Sequence, residues 1–181
     1  MKKLLLVILV YLFSQISCLA NERDTRLNQL FNELKANKSK VAFIIEQEIW
    51  ALWSTHPTDE KLTARLEEGS QFVRDQNYIK AKDIFTEVIN LDQSWAEAWN
   101  KRATVLFLMK DYELSLKDIE KTLDLEPRHF GALSGRAQIY IDQKEYQKAL
   151  DNLILTKKIY PLSNGSQIIP NLEKILNIEE I

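Results

Sequence analysis

The residues of this 181-residue chain with the most chemical reach are few: His56, His129, Cys18 and four tryptophans. A histidine can move a proton near neutral pH or ligate a metal. Spacing argues against both uses here. His56 stands in Trp53-Ser-Thr-His-Pro57 and His129 follows Pro127-Arg128, so the two occupy different connections with no cysteine nearby. A zinc site needs three or four convergent ligands. The neighbouring carboxylates Glu67 and Glu68 read as a solvated helix face rather than an acid–base pair. No GxSxG, HExxH or glycine-rich phosphate loop occurs. The expectation is a non-enzyme with no cofactor and no metal. The tryptophans could form a ligand cage, but Trp50, Trp53 and Trp99 lie on apolar stripes and are assigned to packing. Trp95, at a bend, is the one expected to be partly exposed. Arg102 and Arg136 are expected to lay their stems on the core and pair their heads with nearby Glu or Asp.

The elements that hold these residues repeat. Tyr78, Tyr112 and Tyr146 are 34 residues apart, and several columns recur around them. Small residues come before (Gly69, Ala103, Ala137) and three places after (Ala81, Ser115, Ala149). A large apolar residue follows four places later (Phe85, Ile119, Leu153), then Leu91, Leu125 and Ile159. Pro127 and Pro161 stand two places beyond, with Gln93 in the first copy. A fixed period of this length marks a stacked repeat array. Each copy reads as two helices: Ala96–Met109 then Leu114–Leu125 in the middle copy, and Phe130–Ile141 then Gln147–Ile159 in the last. Proline ends the second helix because it has no N–H for the ladder. The small columns are placed where the two helices cross, and the tyrosines at the corner between them.

These residues resemble the tetratricopeptide repeat (TPR). Ala96-Glu97-Ala98-Trp99, Ala103, Asp111-Tyr112, Ser115, Ile119 and Leu125-Glu126-Pro127 follow its motif most closely. The resemblance implies an all-α, right-handed solenoid of three helix pairs, at 62–95, 96–129 and 130–163. Two apolar stripes before it, Leu27, Leu30, Phe31, Leu34 and Ala42, Ile45, Ile49, Leu52, Trp53, predict a helical hairpin within 21–61 that turns at Asn37-Lys38-Ser39. It is expected to stack on the first repeat as a degenerate unit, with the next helix starting at Thr58. Leu172, Ile175, Leu176 and Ile178 predict a capping helix within 164–181, because a stacked array leaves an apolar face open at each end.

The front end predicts export. Lys2-Lys3, the apolar run Leu4–Phe13 and Ser17-Cys18-Leu19-Ala20 have the layout of a signal peptide spanning 1–20, and the run is short for a membrane span. Cys18 leaves open a lipid-anchored form; a soluble periplasmic protein cut after Ala20 is favoured. No cysteine then remains for a disulfide. Without Lys2 and Lys3 the 24 basic residues fall to 22 against 26 acidic, a net charge of −4, which gives no support for nucleic-acid binding. Parts of the chain also resemble small exported TPR proteins of Gram-negative bacteria with no assigned activity.

The resemblance implies a concave face built by the first helix of each pair. Helical spacing assigns to it Leu66, Ser70, Val73 and Arg74, then Glu97, Asn100, Lys101, Thr104 and Leu108, then Ser134, Gln138 and Ile141. Such a mixed surface suits an extended or helical peptide. Gly131 and Gly135 are expected to leave the third wall open, and Asn100 and Lys101 to have no folding task. The family's clamp for chaperone C-terminal carboxylates is not expected, since Leu66, Ser70, Lys101, Gly131 and Gly135 supply only one cation. The expected function is a peptide- or protein-binding adaptor of the cell envelope, contacting membrane only through its leader or a lipid. The alternative is a structural subunit whose groove is filled by its own termini or a second copy. Should the groove not be the working surface, the edge around Trp95, Arg128 and His129 is the next candidate.

Overall fold

The computed structural model describes residues 22–36 and 41–179. The leader, Cys18 and the expected turn at Asn37-Lys38-Ser39 lie outside these residues. A helix over 22–36 (α1) is followed by α2 (Ala42–Ser54), α3 (Glu60–Arg74), α4 (Tyr78–Leu91), α5 (Ala96–Leu108), α6 (Tyr112–Leu125), α7 (Phe130–Asp142), α8 (Tyr146–Ile159) and α9 (Ile169–Glu179), with a short 3-10 turn at Asn164–Gln167. The architecture is an all-α solenoid of three helix pairs, α3/α4, α5/α6 and α7/α8.

Local chemistry sets the boundaries. Asp59, Asn77, Asp111 and His129 each accept a backbone N–H at a helix start, which satisfies a donor that the helix itself leaves free. Asp59 is therefore the cap of α3, and the helix begins at Glu60 rather than Thr58. Each tyrosine opens the second helix of its pair and lies half-buried at the corner. The first helix of each pair ends the same way. Gln76, Lys110 and Lys144 adopt positive φ of 58°, 62° and 63°. The next N–H reaches back to Phe72, Leu106 or Tyr140, closing the turn as in a Schellman motif.

The small columns sit at helix crossings. A Cβ on Gly69 would fall 2.5 Å from the Phe85 ring. Ala103 and Ala137 are buried, and the Ser115 hydroxyl donates to Ala103 O at 2.8 Å, joining α5 to α6. At the far end α9 packs Ile169, Leu172 and Leu176 against Leu150 and Leu153 of α8. Ile175 is exposed instead of facing inward, and the Ile178 side chain lies outside the description.

The hairpin departs from expectation. The core of α1 and α2 (Leu27, Leu30, Phe31, Leu34, Ile45, Ile49, Trp53) closes not on the first repeat but on Phe130 and Tyr160. It runs along the edge where one pair joins the next, touching both joints and the end of α8. His56, just after α2, bonds Asp92 at 2.8 Å. Arg128, beside Glu126, donates to Asn28 at 2.6 Å and covers the Phe31 ring. The Tyr160 hydroxyl donates to Glu46 at 3.0 Å. Burial, then the Glu46 carboxylate, push that phenol up to about 12. Asp92, Glu126 and Tyr160 are one repeat period apart. The hairpin is thus a brace along the array rather than a degenerate repeat. The physical reason is an aromatic edge: Trp95, Phe130 and Tyr160 would otherwise be exposed.

Candidate functional site

The first helices α3, α5 and α7 lie side by side and build the inner face. The brace covers one end of it. Trp53 stacks flat on His129, with ring centres 4.0 Å apart and planes within 11°. Trp50 meets Phe130 and His129 edge-on, and its ring fills the place of a side chain at Gly131, where a Cβ would fall 2.4 Å away. Thr63, Glu97 and Gly131 are one period apart, and all three meet this region: Thr63 accepts from the His56 backbone N–H at 2.8 Å.

Beneath Trp53 lies a buried polar cluster. His129 Nδ1 accepts from Ala132 N–H at 3.1 Å, so Nε2 carries the proton and donates to Glu97 Oε2 at 2.9 Å. Asn100 Nδ2 donates to the same oxygen at 3.1 Å. Glu97 Oε1 takes no well-aligned hydrogen bond and has the Lys101 ammonium 3.3 Å away. Burial alone would push the Glu97 carboxyl up. The His129 hydrogen bond and the Lys101 ammonium outweigh it and hold the group below the usual range. His56 repeats the design: its Nδ1 accepts from Asp59 N–H, and its Nε2 faces Asp92.

Several expectations change here. Glu97 and Asn100 are buried members of this cluster rather than free groove contacts, and Lys101 is half-buried and committed to Glu97. Asn100 and Lys101 therefore do have a folding task. The cause is the brace, which covers a face that helical spacing leaves open. Trp95 is 4% exposed and its indole N–H donates to Trp53 O at 2.9 Å. His129 is fully buried and Arg128 is held by Glu126 and Asn28. The edge around Trp95, Arg128 and His129 is consequently an internal joint, and Gly131 does not open the third wall. Arg102 pairs with Asp118 through two bonds, at 2.7 and 2.8 Å. Arg136 meets an amide, Asn152, rather than an acid.

The rest of the inner face is accessible. Thr104, Leu108, Gln138 and Arg74 are exposed, while Ser70, Val73, Ser134 and Ile141 are half-buried. Ser70 donates to Leu66 O, Arg74 pairs with Glu67, and Gln138 donates to Asp142. Thr104 and Asn100 border a cavity of about 90 Å³ that reaches across to Gly135. Of the expected groove residues, Asn100, Thr104, Gly131 and Gly135 line this one space. The histidine–carboxylate cluster was not anticipated. Its one signal is the 32-residue offset between Glu97, in the first turn of α5, and His129, the cap residue before α7. Among the described residues no group of three or more His, Cys, Asp or Glu could hold a metal ion, and no helix is long and apolar enough to cross a membrane.

Comparison with known proteins places this geometry. Residues 96–129 match the tetratricopeptide repeat family model. A TPR repeat-containing protein of Rhizobium etli is 35% identical over 143 residues, covering 78% of this chain and 70% of the relative. The first TPR of Spaghetti (RPAP3), solved bound to an HSP90 peptide, superposes with a TM-score of 0.62 at 17% identity, covering 65% of this chain and 94% of that one. The type III secretion chaperone SycD of Yersinia enterocolitica, solved with a peptide of the translocator YopD, superposes with a TM-score of 0.61 at 11% identity, covering 70% and 100%. TPR proteins generally mediate protein or peptide binding. The 34-residue columns, the helix pairs and the Rhizobium relative agree: this chain belongs to the TPR repeat-containing proteins.

Proposed function

We propose that this chain is a non-enzymatic adaptor of the bacterial cell envelope that binds a protein segment along the open part of its inner face. The observation that carries the reading is the exposed strip of Thr104, Leu108 and Gln138 on α5 and α7, left bare by the brace. That strip mixes an apolar side chain with hydroxyl and amide groups, as peptide grooves do. Solved proteins of similar fold bound to peptides support it. The partner is not held through a terminal carboxylate, because Lys101 is already neutralised by Glu97. The envelope location rests on the Lys2-Lys3 start, the apolar run and the small residues through Ala20.

The test is photo-crosslinking in the native cell, with a benzophenone side chain at Leu108 or Gln138 and at Asp83 or Lys121 as exposed controls outside the inner face. A partner trapped from the first two alone is expected. Trapping only from the controls, or from none, rejects the adaptor reading. N-terminal sequencing of the native protein is expected to begin at Asn21, while a lipid on Cys18 would establish the anchored form. A second reading, a structural subunit with a self-filled face, is favoured by Trp50 over Gly131. It predicts no trapped partner at any inner position.

A further inference from the structure

Three glycines lie within helices of the inner face, and packing requires only two. A Cβ on Gly69 would strike the Phe85 ring at 2.5 Å, and one on Gly131 the Trp50 ring at 2.4 Å. A Cβ on Gly135 would meet Ile119 Cδ1 alone, at 3.9 Å, an ordinary contact. No glycine among the described residues has a positive φ, so the backbone does not require it either. A glycine in mid-helix weakens the helix relative to alanine. Gly135 therefore lowers stability with no packing or conformational return. What its missing side chain leaves is the cavity of about 90 Å³, walled by Ala103, Phe107 and Ile119 and edged by Asn100 and Thr104.

We propose that this cavity is a subsite for one branched aliphatic side chain (Leu, Ile or Val) of a bound polypeptide; the inference rests on the inner face being the binding surface. The size fits, since a cavity of ~150 Å³ takes a benzene ring. The polar edge selects the occupant further. The Glu97 carboxylate can only accept, so Asn100 turns one N–H to it and keeps Oδ1 and its second N–H. Thr104 gives its hydroxyl proton to Asn100 O, and Ser115 gives its own to Ala103 O. With both hydroxyl protons committed, the edge offers more lone pairs than donors. An occupant must bring a donor, and the backbone N–H beside an aliphatic side chain is one. An acidic side chain would face lone pairs with the Glu97 charge behind them. A cationic one would lose its water against Phe107 and Ile119.

The test uses N-acetyl-leucine N-methylamide, with the glutamate analogue as control, titrated into the isotope-labelled protein and followed by NMR. The leucine probe is expected to shift the Ile119 methyl and the Asn100 and Thr104 amides saturably, with a roughly millimolar dissociation constant. The glutamate probe is expected to bind at least about ten-fold more weakly. Gly135→Leu is expected to abolish the shifts and Gly135→Ala to weaken them, both proteins melting at or above the parent temperature. The proposal is overturned if the leucine probe gives no saturable shift, if the glutamate probe matches it, or if Gly135→Ala and Gly135→Leu bind it undiminished. If the probe fails while Leu108 still traps a partner, the subsite falls and inner-face binding stands. If the probe binds but nothing is trapped, the adaptor reading falls alone.

Discussion

At the scale of single residues, Glu97 carries the most consequence. It is a fully buried carboxylate held ionised by His129, Lys101 and Asn100. Removing a donor from a buried charged acceptor costs more than the bond itself contributes, because the charge stays behind. Asn100→Ala is therefore expected to lose about 1.5–3 kcal/mol in chemical denaturation. A loss within about half a kcal/mol, usual for an exposed site, would show that the cluster does not hold the fold. The Glu97 and Asp92 carboxyls are both depressed below their ordinary values of 4.5 and 3.8. A depressed acid contributes stability that is complete above its unfolded value and is lost as pH falls through the folded one. The melting temperature should hold down to about pH 5 and then fall. Glu97→Gln should melt lower at neutral pH and fall less steeply in acid; parallel curves for the two proteins would refute the linkage.

At the scale of elements, the helix ends and crossings explain why the array keeps one geometry. The three left-handed corners at Gln76, Lys110 and Lys144 place side chains where glycine is the unstrained choice. Lys144→Gly is expected to stabilise the protein by about 1 kcal/mol, read from the denaturation midpoint; a destabilised variant would mean that the lysine stem contributes more than its backbone costs. The crossing between α5 and α6 is the opposite case. Ala103 is buried and its carbonyl accepts from Ser115, so Ala103→Leu should cost about 1–3 kcal/mol. An unchanged melt would show that the crossing has room to spare.

At the scale of the whole molecule, the brace joins what a repeat array otherwise leaves as nearest-neighbour contacts. Trp53 touches His129, Phe31 and Phe130 by its ring and Trp95 through its backbone carbonyl. Trp53→Ala should cost about 3–5 kcal/mol. Amide exchange should rise at the joints near residues 92–95 and 126–130 as well as in the brace. Exchange that rises in α1 and α2 alone would mean the brace is an independent unit. The period of Tyr78, Tyr112 and Tyr146 was enough to determine the helix pairs, since each column repeats the same crossing with the same small residue. Local spacing also identified the apolar stripes of α1 and α2, and Leu172 and Leu176 of the cap. It could not say where the hairpin goes. A stripe records that a face is buried but not against what, and the partner surface is assembled from Phe130 and Tyr160, about a hundred residues away. For the same reason Glu97 and Asn100, from their helical positions, and Trp95, from its place at a bend, read as surface and are interior in the fold. Only the tertiary structure decides which part of the inner face stays open, because the brace closes on an aromatic edge that the repeats assemble from distant residues.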